Sequence, residues 1–79
     1  MTLDQRISDF VKRLKEKDLI LNEWYNYDIK TFEFNIWTYQ TDDFLRQYSY
    51  RGSCVQTSKS RSRRKAFNEL VARFNKDHS

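Results

Sequence analysis

Ten aromatic residues crowd one stretch of this 79-residue chain, between residues 23 and 56: Trp24, Tyr25, Tyr27, Phe32, Phe34, Trp37, Tyr39, Phe44, Tyr48 and Tyr50. Aromatic side chains fit a pleated, half-buried surface better than a helix. Alternation supports that reading. Phe32, Phe34 and Ile36 fall on one face of an extended chain, and Glu33, Asn35 and Trp37 on the other. Phe44, Tyr48 and Tyr50 share a parity, with Gln47, Ser49 and Arg51 opposite. Gln40-Thr41-Asp42-Asp43 has turn chemistry, and a second turn is expected near Asp28 to Thr31 without a Gly or Pro to mark it. The pattern predicts a three-stranded antiparallel meander over residues 23–29, 31–40 and 44–55. The single glycine, Gly52, predicts a bulge or bend late in the third strand.

Helical periodicity flanks this stretch. Leu3, Ile7, Phe10, Val11 and Leu14 form one apolar stripe, and Thr2 with Gln5 fits a capping box. This helix is expected to end between Lys15 and Asp18, after which Leu19, Ile20 and Leu21 break the period and carry the chain toward the next element. Ala66, Phe67, Leu70, Val71 and Phe74 form a second stripe, with Thr57, Ser58, Ser60 and Ser62 all competent caps for its start. No linker or repeat divides the sequence, so residues 1–79 read as one domain. The expected fold class is α+β: an α-β-β-β-α order, with both helices packed on one face of a three-stranded antiparallel sheet.

Several function classes find no support in the residues. One cysteine, Cys54, makes no intramolecular disulfide, and with His78 as the other soft ligand no zinc site or other metal site is expected. Cys54 lacks a histidine base, and the adjacent Asp42 and Asp43 suit a turn better than acid–base chemistry. There is no glycine-rich phosphate loop and no nucleophile elbow. The expectation is a non-enzyme without cofactor or small-molecule substrate. No apolar run approaches the ~20 residues of a membrane span, and the first residues do not read as a signal peptide, so no membrane association and a cytoplasmic location are expected.

Charge carries the functional signal. Residues 1–43 hold six basic and nine acidic side chains, whereas residues 44–79 hold nine basic and two acidic. Such asymmetry suits a polyanionic partner. Lys59, Arg61, Arg63, Arg64 and Lys65 fall within seven residues, interleaved with serines including Ser62, and no acid lies between Phe44 and Asn68. This run covers the expected start of the second helix. Cations there oppose the helix dipole at a cost of about 0.3–1 kcal/mol each. A bound anion resolves the conflict, because free N–H groups, dipole and side chains then share one phosphate or a pair of phosphates.

From Gly52 onward the chain resembles the C-terminal half of a double-stranded-RNA-binding domain. That family has a glycine-containing third strand followed by Ser-Lys-Lys-x-Ala-Lys at the start of its last helix. This chain has Ser62-Arg63-Arg64-Lys65-Ala66-Phe67, with Leu70 and Phe74 continuing the apolar face. The motif likeness covers Gly52 to Phe74, and the order of elements extends it to nearly the whole chain. The resemblance implies that Arg63 and Arg64 stand where the family's lysines straddle the major groove, with Ser62 at the helix start. Phe67 stands where the family has its third base, and the family's Gly-Pro-x-His loop has no counterpart near Asp28 to Thr31. Gln5, Asp9 and Lys12 are the polar residues that the first helix offers for 2′-hydroxyl contacts.

The expected function is therefore non-catalytic nucleic-acid binding through Lys59, Arg61, Ser62, Arg63, Arg64 and Lys65, supported by Arg46 and Arg51. Duplex RNA is the first ligand; DNA and single strands are the alternatives. The rival class is a protein-interaction module. It would use either the basic patch on an acidic protein or an aromatic sheet face, where Trp37 and Tyr39, opposite Phe32 and Phe34, would anchor a protein partner or pair two copies; in the nucleic-acid reading the same face would stack single-stranded bases.

Overall fold

The computed structural model describes residues 1–41 and 49–77, and the side chains of residues 1–38 and 52–77. The chain runs α1 (Leu3–Lys15), β1 (Leu19–Asn26), β2 (Thr31–Thr41), β3 (Ser49–Ser60) and α2 (Arg63–Asp77). The three strands form one antiparallel sheet in the order β1-β2-β3, so the α-β-β-β-α architecture read from the sequence is the one observed.

The capping box starts α1. Thr2 Oγ1 accepts from the Gln5 N–H at 3.2 Å, and Gln5 Oε1 accepts from the Thr2 N–H at 2.8 Å. Lys12, Arg13 and Lys15 lie in the last turn, where cations complement the dipole. Asp18 then reverses the chain in the left-handed region, at φ 57°.

Phe10 sets its ring edge against both Phe67 and Phe74, with centroids 5.7 Å apart in each pair. Phe34 meets Phe67 at the same separation. Leu14, Leu19, Ile36, Ala66 and Leu70 complete a buried cluster that joins both helices to one face of the sheet. Strand register sorts the other side chains. Facing residues of an antiparallel pair share a face, and Leu21 opposes Ile36, Glu23 opposes Phe34 and Ser58 opposes Phe34 from β3. Glu23 therefore stands on the helix face, while Asn22, Trp24, Glu33, Asn35, Trp37, Thr57 and Lys59 stand on the open one.

The element ends differ from the sequence reading in two places. β1 begins at Leu19, not at residue 23. Leu19 is buried against the helices and Ile20 half-buried on the open face, so three consecutive apolar residues serve both faces of a strand and show no period. β3 continues to Ser60, past residue 55. Thr57, Ser58 and Ser60 are strand residues, and Ser58 Oγ is buried and donates to the Ala66 carbonyl at 2.6 Å. The hydroxyls that looked like competing caps instead line the end of the strand.

The turn near Asp28 is present, over residues 27–30. Asn26 Oδ1 accepts from the Asp28 N–H at 3.0 Å, and Lys30 takes φ 54°, so an Asx turn and one left-handed residue do the work of a glycine. Of the expected Gln40–Asp43 turn, Gln40 and Thr41 belong to β2; Asp42 and Asp43, like the beginning expected for the third strand, lie outside the described residues. Gly52 falls in an irregular part of β3, as expected. Between the pairs Ile36–Gln56, Trp37–Cys54 and Tyr39–Arg51, β3 inserts one extra residue at Val55 and another across Gly52 and Ser53. The Thr38 hydroxyl accepts from the Ser53 N–H at 2.8 Å.

Candidate nucleic-acid interface

Ser62 begins α2. Its Oγ accepts from the Lys65 N–H at 3.3 Å and its carbonyl from the Ala66 N–H at 3.0 Å, the pattern of an N-cap residue. Arg63, Arg64 and Lys65 thus occupy the first three helical positions. Asp and Glu are absent from that first turn. The sequence reading placed the basic run at this helix start, and four of its members are there or one residue before it. Lys59 is different: it lies in β3, opposite Glu33.

The five cations do not share one environment. Arg63 turns inward. Its Nε donates to Glu23 Oε1 at 2.5 Å, its Nη2 to Glu23 Oε2 at 3.3 Å, and its Nη1 to Asp4 Oδ1 at 2.8 Å. The hydrogen bonds to Glu23 and then Asp4 hold the guanidinium above its ordinary range, against a lowering by burial. One side chain therefore ties the first turn of α1, the middle of β1 and the first residue of α2. The anion that a cation needs at this position is supplied from within the fold.

Lys59, Arg61, Arg64 and Lys65 are exposed and make no ion pair among the described residues. Arg64 and Lys65 stand on the first turn of α2, where the N–H groups of Arg63 and Arg64 have no acceptor among the described residues. Arg61 lies in the connection just before it. Together they leave uncompensated positive charge around a helix N-terminus, an arrangement that attracts anions.

Two hollows flank this end. Asp28, Ile29, Lys30 and Arg61 line one of about 580 Å³, which brings the β1–β2 turn beside the α2 start. Thr57, Ser58, Lys59 and Arg73 line another of about 280 Å³. Arg73 was not legible as a site residue, because it lies in the next turns of α2 and nothing in its local sequence distinguishes it. Its Nη1 donates to the Thr57 carbonyl at 2.9 Å, which holds the side chain against β3 beside Lys59. Lys30 and Arg73 thus add cations that only the fold places near the run.

Arg46 lies outside the described residues, and Arg51 is described as a strand residue paired with Tyr39 without its side chain. On the open sheet face Trp24 is 45% exposed and Trp37 is half-buried. Tyr27 and Ile29, at the β1–β2 turn, are exposed. Cys54 is an exposed strand residue. Compared with protein-family models, curated proteins and solved structures, the chain has no match.

Proposed function

We propose that this chain is a non-catalytic nucleic-acid-binding domain that holds phosphates at the start of α2, with duplex RNA as its first ligand. The observation that carries the reading is the split within the basic run. Arg63 is neutralised by Glu23 and Asp4, whereas Lys59, Arg61, Arg64 and Lys65 remain exposed and unpaired among the described residues. A fold that needed only internal charge balance has met that need with one arginine. Of the other four, Arg61, Arg64 and Lys65 add electrostatic repulsion at a helix N-terminus, and a phosphate backbone relieves it.

In this reading Arg63 is a positioning residue. It fixes the α2 start against α1 and β1, so that Arg61, Arg64 and Lys65 face a ligand from a rigid base. Lys30, in the hollow it shares with Asp28, and Arg73, which pairs with Glu69 at 3.9 Å, add a cation on each side. The likeness of Ser62 to Ala66 to the helix start of double-stranded-RNA-binding domains supports duplex RNA ahead of other polyanions.

The second reading is a protein-interaction module, and the exposure of Trp24, Tyr27 and Ile29 favours it. One experiment separates the two. Duplex RNA, duplex DNA and single strands of matched length are titrated in a gel shift at two salt concentrations. Duplex RNA bound most tightly, with affinity falling steeply at higher salt, supports the proposal. No retardation of any ligand at the lower salt overturns it and leaves the protein-interaction reading standing.

A further inference from the structure

The two edges of the sheet are built differently. β3 is guarded from Gly52 to Lys59. It carries two inserted residues, Val55 and one across Gly52 and Ser53, and a lysine, Lys59. Arg73 takes a backbone acceptor at Thr57, and Gln56 Nε2 is drawn to Asp77 Oδ2 at 2.9 Å. Irregular pairing, lysine and covering side chains are the devices that stop an edge strand from recruiting another strand.

β1 has neither inserted residues nor a lysine. Its eight residues, Leu19 to Asn26, pair with β2 in unbroken register and contain no proline, lysine or arginine. Its one charged residue, Glu23, is held by Arg63 on the helix face. On the open face the strand presents Ile20, Asn22 and the exposed Trp24. Among the described residues no element pairs with its outer edge. A regular, apolar-rich edge of this length is a template for strand addition.

We propose that β1 pairs antiparallel with β1 of a second copy, joining two three-stranded sheets across a two-fold axis. The sequence of the strand selects both the partner and the register. A two-fold axis perpendicular to the sheet requires facing residues to share a face, so the axis passes through a single residue position. Centred on Glu23, the pairing sets two carboxylates directly opposite each other, which is destabilising. Centred on Asn22, it overlaps most of the strand, sets Asn22 against Asn22 and places Ile20 against Trp24 of the second copy on both sides of the axis. The partly exposed apolar residues of the edge then cover one another. This inference does not rest on nucleic-acid binding.

The test uses the full chain free of nucleic acid. Sedimentation equilibrium of the parent shows a dimer, and Ile20→Lys with Trp24→Lys, a lysine-guarded edge, gives a monomer with the parent's circular dichroism. A second readout does not depend on that variant folding. In a Cys54→Ser background, Asn22→Cys forms an intermolecular disulfide on mild oxidation, whereas Thr57→Cys on the opposite edge does not. A parent that stays monomeric over the whole concentration range overturns the proposal. So does cross-linking of Thr57→Cys as complete as that of Asn22→Cys.

Discussion

Arg63 holds Glu23 through two nitrogens, Nε on Oε1 at 2.5 Å and Nη2 on Oε2 at 3.3 Å, and so fastens the first residue of the last helix to the first strand. The same guanidinium reaches Asp4 in the first turn of α1. Helix packing alone would leave a cation facing a helix dipole of the wrong sign. The two carboxylates reverse that penalty, with Glu23 as the stronger partner because Asp4 is largely exposed and solvent screens it.

Replacing Arg63 should therefore act on stability. Arg63→Ala is expected to cost about 1–2 kcal/mol, since it breaks a partly buried pair and leaves Glu23 without its cation. Arg63→Lys should recover less than half, because an ammonium cannot reproduce the two-nitrogen grip. Arg64→Ala, one residue on, should be neutral or stabilising by up to about 0.5 kcal/mol, because it removes an unpaired cation from a helix N-terminus. Urea unfolding of the three variants measures this contrast. Equal loss for Arg63→Ala and Arg64→Ala would contradict it.

The N-terminal cap gives a second prediction. Thr2→Ala removes the acceptor for the Gln5 N–H and should cost about 1 kcal/mol. Gln5→Ala loses the reciprocal bond and should cost less, because Thr2 still caps the helix. Thermal unfolding followed at a helical wavelength distinguishes the two.

Phe67 joins the helices to the sheet through Phe10 and Phe34. Phe67→Ala should cost about 3–5 kcal/mol, which is most of the stability a domain of this size possesses. The expected outcome is loss of the cooperative unfolding transition. A variant that keeps that transition would show that the two-helix layer depends less on this ring than its packing implies.

Ser58→Ala tests the junction of β3 and α2. Its buried hydroxyl donates to the Ala66 carbonyl at 2.6 Å, and its removal should cost about 1 kcal/mol. Chemical denaturation of the variant beside Ser53→Ala, an exposed serine of the same strand, isolates the buried contribution.

The periodic elements were legible from the sequence because each presents one apolar face: the stripe from Leu3 to Leu14, the alternation around Phe34 and the stripe from Ala66 to Phe74. Leu19 to Leu21 were not legible as strand, since a run that serves both faces carries no period. Ser58 looked like a cap because a hydroxyl satisfies a helix start and a strand end equally well, and only the position of Ala66 decides between them. The basic run was legible as a concentration of charge. Its division was not. Asp4 and Glu23 are 59 and 40 residues from Arg63, and their approach to it exists only in the folded chain.

The central claim is that exposed cations at the α2 start bind phosphate, and the salt dependence of binding tests it most directly. Affinity for duplex RNA is measured over a salt series for the parent and for a variant carrying Arg61→Ala, Arg64→Ala and Lys65→Ala. The parent should bind with a steep log–log slope. The variant should bind more weakly, with a slope flattened by roughly 0.9 for each phosphate that it no longer neutralises. A variant that matches the parent in both affinity and slope would contradict the claim.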